Sequence, residues 1–175
     1  MAKNSLRYSI CEELLYGEVA GVRIAMRAFS GGGRGSTAGA ERKDLKHWNT
    51  AKKAPEVFDY KNRGGPLPAG LYLASYYGAH PHLGECAALI QTLSSLLHRD
   101  YYSTTGVSVT DRAGFFVHGV GPKGSDGCIV PETRADLTTL LSALKKAAEL
   151  VVLVVHLEGM NARIFEAAQK SQHAV

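Results

Sequence analysis

The chain has 175 residues, with 20 Lys and Arg against 16 Asp and Glu and a net charge of +4. At 45% apolar and 21% charged residues it carries enough hydrophobic surface for one core, which excludes wholesale disorder and predicts a single domain over 1–175. The longest apolar run, Leu150–Val155, is far shorter than the roughly 18 residues of a membrane-spanning helix, so no membrane insertion is expected. The opening Met1–Arg7 lacks the apolar stretch and cleavage site of a secretory signal, which predicts synthesis as a cytoplasmic protein. Cys11, Cys86 and Cys128 form an odd count without CxxC spacing, which argues against a disulfide framework and a zinc ribbon.

In chain order, Val22, Ile24, Met26 and Ala28 alternate with Arg23, Ala25, Arg27 and Phe29, the two-residue period of a half-buried strand. Ser30–Ser36 follows as a glycine-rich loop without the Gly-Lys-Ser/Thr ending of a phosphate-binding loop. An irregular basic segment, 31–66, comes next; eight of its residues between Arg34 and Arg63 are basic and four acidic. Trp48, Phe58 and Tyr60 interleave with those cations, the pattern of a nucleic-acid surface. Because acids are interspersed, a solvated excursion is the preferred reading and no nucleic-acid partner is expected. Gly64–Gly70 forces a turn and launches a strand over Leu71–Tyr77. Leu89, Leu93, Leu96 and Leu97 predict a helix within Cys86–Arg99. The segment Gly114–Val120 reads as a buried strand ending at Gly119. Leu137, Leu140, Leu141, Leu144 and Ala148 mark a helix over Arg134–Glu149, with Thr133 and Asp136 as its start signals. The run Val151–Val155 reads as a core strand, and 160–175 as a short tail. The expected class is mainly β (α+β), a sheet or sandwich with about two helices.

The chemistry concentrates between Phe115 and Val130. His118 stands at a strand end, Cys128 ten residues later, and a Gly/Pro-rich hairpin joins them. Such a loop can fold an imidazole onto a thiol, the pairing that makes a reactive thiolate at neutral pH. Gly127 permits a tight turn and lets a substrate carbonyl approach the backbone N–H groups of Gly127 and Cys128, an oxyanion hole.

Phe116-Val117-His118-Gly119 followed by Ser125-Asp126-Gly127-Cys128-Ile129 resembles the catalytic signature of YkuD-type L,D-transpeptidases. The resemblance extends to Gly65–Tyr72 and to Phe29–Gly33. On a short chain of this kind it is closest to the L,D-transpeptidase effectors that type VI secretion systems deliver into competing bacteria. Three features depart from the wider family: Asp126 stands where histidine is usual, the interval from His118 to Cys128 is shorter than in its typical members, and Val130-Pro131 replaces the arginine that commonly follows the cysteine turn.

The resemblance implies an L,D-transpeptidase-like domain with Cys128 as nucleophile, His118 as base, Gly127 with Cys128 as oxyanion donors and Ser125 supporting the turn. Asp126 is an alternative to a backbone carbonyl for orienting the histidine, and Gly119 and Tyr72 would line the substrate site. The implied substrate is the peptidoglycan stem tetrapeptide, attacked without a cofactor at its diaminopimelate carbonyl. Further expected partners are a cognate immunity protein and a component of the secretion apparatus, with action in the periplasm of the target cell.

Three competing readings come from other residues. His80, His82, Glu85 and Cys86 carry metal-ligand chemistry without a standard spacing, so a surface loop is preferred to a zinc site. Cys86 followed by His118 has the order of a papain-like hydrolase, and His156 is a candidate second base. A non-catalytic basic module binding glycan or nucleic acid through Trp48 and Tyr60 is the alternative to an enzyme.

Overall fold

The computed structural model describes residues 4–10, 12–31, 67–68, 70–92, 114–120, 125 and 127–156. The basic segment from 32 to 66, Cys11, Asp126, Leu93 with Leu96 and Leu97, and the tail 160–175 lie outside the described residues.

Eight strands and one helix follow in the order β1 (Ser5–Ser9), β2 (Leu14–Val19), β3 (Val22–Ser30), β4 (Gly70–His80), β5 (Gly84–Gln91), β6 (Phe115–Val117), β7 (Ile129–Pro131), α1 (Arg134–Ala147) and β8 (Val151–His156). The strands close into a barrel in the order β1-β2-β3-β7-β6-β5-β4-β8. The mainly β class therefore holds, while a closed barrel replaces the open sheet or sandwich and the described residues contain one helix. No described helix is long and apolar enough to cross a membrane.

Alternation sorts each strand between core and surface. In β3, Ile24, Met26, Ala28 and Ser30 point inward while Arg23, Ala25 and Arg27 are exposed, as the two-residue period requires. The apolar run of β8 behaves the same way: Val151, Leu153 and Val155 are buried, whereas Val152 is 38% exposed. A continuous apolar run here is one inward row interleaved with an outward one.

The segment from Cys86 to Gln91 belongs to a strand, against the helix its composition predicts. A turn in which Leu83 N–H donates to His80 O at 3.3 Å returns the chain alongside β4, and eight residue pairs from Tyr72↔Gln91 to His80↔Gly84 fix β5 there. Pairing on both sides, to β4 and β6, outweighs the weak helical preference of Ala-Ala-Leu. A register shift between Tyr76 and Gly78 leaves Tyr77 as a bulge residue on the outer surface, 54% exposed.

The helix begins where its sequence says it should. Thr133 has extended backbone and its Oγ1 accepts from Asp136 N–H at 3.1 Å, so one of the orphan donors of the first turn is satisfied. It ends at Ala147, two residues earlier than expected, because Ala148 turns left-handed at φ 53°. Leu137, Leu140, Leu141 and Leu144 join the barrel core, each contributing about 2 kcal/mol by burial, while Lys145 and Lys146 sit at the negative end of the helix dipole.

Gly17 marks the tightest strand approach. Its φ is +147°, and a Cβ there would stand 2.1 Å from Ser5 O and 3.0 Å from Leu6 Cα. The neighbour is backbone of β1 and cannot swing aside. Gly17→Ala is expected to destabilise the protein by about 1–3 kcal/mol, read as a lower urea midpoint with unchanged slope; a neutral result would contradict this β1–β2 geometry.

Candidate functional site

Cys128 and His118 are brought together by a short parallel seam. Val117 of β6 pairs with Ile129 of β7, and His118 N–H donates to Ile129 O at 3.2 Å. Val117 and Ile129 are buried at 2% and 0% exposure, so their immediate neighbours face the other side of the sheet. In this register Cys128 lies across from Phe116 and His118 one diagonal away. Strand spacings place the two Cα atoms about 5 Å apart across the seam and about 7 Å along it, within reach of an imidazole arm. Consistently, Phe116 N–H donates to Cys128 Sγ at 3.4 Å. That contact is worth more to a thiolate than to a thiol.

The imidazole is oriented by its neighbour's backbone. His118 Nδ1 lies 2.7 Å from Gly119 O; because a carbonyl only accepts, Nδ1 carries the proton and Nε2 holds the lone pair. Nε2 is then the atom available as base. His118 is buried, and that burial pushes its pKa below the usual 6.5; the Gly119 carbonyl pulls the other way and His80 adds a smaller push down. At neutral pH the ring is uncharged and ready to accept a proton.

Two serines hold the cysteine turn. Ser125 Oγ donates to Cys128 O at 2.7 Å and accepts from Gly31 N–H at 3.0 Å, and Ser125 N–H donates to Gly31 O at 3.1 Å. Ser30 Oγ donates to Gly127 O at 3.2 Å and accepts from Leu67 N–H at 2.8 Å. Gly127 has φ +105°, a conformation that L side chains rarely adopt. The turn that presents Cys128 is thus tied to the end of β3 and to the Leu67 segment, three stretches remote in sequence.

An aromatic wall stands beside the pair. Phe116 meets Tyr77 with ring centroids at 5.5 Å and His80 at 5.2 Å, and His80 Nδ1 accepts from His82 N–H at 3.2 Å. Sequence reading missed Ser30, Tyr77 and His80 as parts of this site, and gave Phe116 no role beyond its place in the motif. Ser30 sits in the Phe29–Gly33 segment already singled out, but nothing in that segment indicates which distant atoms its hydroxyl joins.

Other expected site residues fall elsewhere. Tyr72 does not line a substrate site: it is fully buried in the barrel, its hydroxyl donates to Pro68 O at 2.8 Å, and its ring meets Phe115 edge-on. Cys86 is also fully buried, its thiol donates to Gly78 O at 3.6 Å, and burial with Glu85 nearby pushes its pKa up. A nucleophile needs the opposite environment. His156 Nε2 lies 3.4 Å from the Tyr16 hydroxyl, on a strand four places from β7 around the barrel. Among the described residues no three His, Cys, Asp or Glu side chains converge to hold a metal ion. Gly119 remains at the site, both as the acceptor for His118 and in the wall of a groove.

No family model matches the chain, and no curated protein or solved structure matches it either.

Two predictions test this geometry. Ser125→Ala leaves a buried N–H and a buried C=O short of a partner, which costs about 2–4 kcal/mol and should slow Cys128 alkylation by a thiol reagent under native conditions; an unchanged rate and midpoint would show that the serine does not hold the turn. Between pH 6.5 and the lower pKa of the native imidazole, the unfolded chain binds more protons at His118 than the folded one. Stability from this group is complete above 6.5 and falls as pH drops through that window. Urea midpoints measured from pH 7 to pH 5 should decline, and His118→Gln should flatten that decline.

Proposed function

We propose that the chain is a peptidoglycan-modifying cysteine acyltransferase, an L,D-transpeptidase-like enzyme acting on stem tetrapeptides as L,D-carboxypeptidase, D-amino-acid exchanger or both. The observation that carries the reading is the Val117/Ile129 register, with His118 Nδ1 committed to Gly119 O, which leaves Nε2 with the lone pair that a base needs. The motif resemblance supplies the substrate class.

In this reading the Cys128 S–H proton passes to His118 Nε2 and the sulfur attacks the diaminopimelate carbonyl carbon. The oxygen of the tetrahedral adduct takes the negative charge, stabilised by the backbone N–H groups of Gly127 and Cys128. As the adduct collapses, the C–N bond breaks and the departing D-Ala nitrogen takes the proton from His118, leaving a thioester. Water then gives a proton to His118 and adds its oxygen to the carbonyl; the C–S bond breaks and the thiolate recovers the proton. An amine in place of water gives exchange or a cross-link. No cofactor enters these steps.

We place the chain as an antibacterial effector of a type VI secretion system, made in the producer's cytoplasm and acting in the periplasm of the target, on the strength of the same resemblance. Such an activity endangers the producer, so a cognate immunity protein that covers the cleft belongs to the proposal, as does a carrier component of the secretion apparatus.

Mass spectrometry of muropeptides incubated with the protein is the test. Wild-type protein should shorten tetrapeptides by D-Ala, Cys128→Ala should abolish the change, and His118→Gln should slow it by roughly 100-fold or more. Unchanged tetrapeptides under wild-type protein would overturn the reading. So would Cys128→Ala protein that keeps its biological effect, which is the outcome expected of a non-catalytic binding module.

A further inference from the structure

A groove of about 630 Å³ begins at Gly119 and Val120, next to His118, and runs between α1 and the β4–β5 hairpin. Arg134 and Lys145, both in its wall, are eleven residues apart on α1, which makes the trough about 16 Å long. Gly119 lies over Leu137, to which a Cβ at Gly119 would stand 3.5 Å. The Arg134 end of the helix is therefore the end nearest the site.

The two ends differ in how their charges are used. At the far end Tyr76 hydroxyl donates to Glu85 at 3.3 Å, and Lys145 Nζ lies 5.3 Å from the Tyr76 ring centroid, so acid and base are linked through one aromatic ring. At the near end Glu132 and Arg134 are exposed. Their backbones are engaged, with Glu132 N–H donating to Arg27 O and Arg134 O accepting from Thr138, but neither side chain hydrogen-bonds or pairs with any described residue. One carboxylate and one guanidinium thus flank the groove at its Gly119 end. A group with a single charge would satisfy one of them and crowd the other.

We infer that the Gly119 end of this groove is the entry site for the amine that resolves the thioester, and that it selects a zwitterion, with Arg134 taking the carboxylate and Glu132 the ammonium. The inference rests on the acyltransferase reading and names its second substrate as an amino acid or peptide end bearing both charges on one carbon. Guanidinium and carboxylate match in planar geometry. Once the ammonium has lost one proton to water, the amine nitrogen bonds to the thioester carbon and its second proton goes to His118 Nε2. The C–S bond then breaks, and the Cys128 thiolate takes that proton back. Product is an amide and a free thiol, with no oxidant or further reactant. A zwitterion held at Gly119 approaches from the side on which the base stands, where water would otherwise compete.

The test is nuclear magnetic resonance titration of full-length Cys128→Ser protein, in which no turnover occurs, with D-alanine, N-acetyl-D-alanine and D-alanine amide. D-Alanine should shift the backbone amides of Gly119, Val120 and Arg134. The two analogues, each missing one charge, should bind about tenfold more weakly or worse, as should D-alanine to protein also carrying Arg134→Gln or Glu132→Gln. In otherwise wild-type protein, Arg134→Gln should lower the ratio of exchanged to hydrolysed product. Equal binding of all three probes, or D-alanine shifts confined to residues away from the groove, would overturn the inference. The two proposals fail separately: D-alanine binding at Gly119 by a protein inert toward tetrapeptides sinks the enzyme and keeps the site, and hydrolysis without groove binding does the reverse.

Discussion

One pair of buried residues, Val117 against Ile129, sets the relation between the imidazole and the thiol. Side chains alternate along a strand, so a slip of one residue would turn Cys128 inward and take Ile129 out of the barrel core. Both members of the pair belong to the hydrophobic cluster that fills the barrel, and that cluster resists the slip. The alignment of His118 with Cys128 therefore rests on apolar packing within the barrel. The seam is short, since β6 and β7 have three residues each, and its register is backed by β5 on one side and β3 on the other.

Electrostatics then refines what packing has placed. His118 is kept neutral chiefly by burial, and its tautomer is set by a backbone carbonyl that cannot titrate. Orienting the ring with a carbonyl in place of a carboxylate leaves no buried negative charge to be compensated. The same economy appears at the cysteine turn, where two hydroxyls, each donating once and accepting once, satisfy four backbone groups.

Much of the scaffold is legible in the sequence where a local rule decides the outcome. The alternation of β3, the Thr133 cap and leucine stripe of α1, and the glycine next to Cys128 each follow from a few consecutive residues. The proximity of His118 and Cys128 is readable as a motif, but its cause, a parallel pairing of β6 with β7 in place of the expected hairpin, is not, because register depends on the partners on both sides. β5 escapes for the same reason: Ala87, Ala88 and Leu89 favour a helix until β4 and β6 hold them extended. Tyr72 misleads because a tyrosine beside a motif looks like a ligand contact, whereas its ring fills the barrel and its hydroxyl finds Pro68 O. The Tyr77, His80 and Phe116 wall arises from a bulge, a feature of the assembled ladder with no signature in the residues that form it.

The Ser30 hydroxyl bridges Leu67 and Gly127, and β1 pairs with β8, the last strand of the barrel. A chain emerging from a ribosome, or drawn unfolded through a narrow channel, has none of these junctions. Its cysteine is then an ordinary thiol, without the imidazole beside it. Closure of the barrel is what sets Cys128 and His118 at the ends of neighbouring strands.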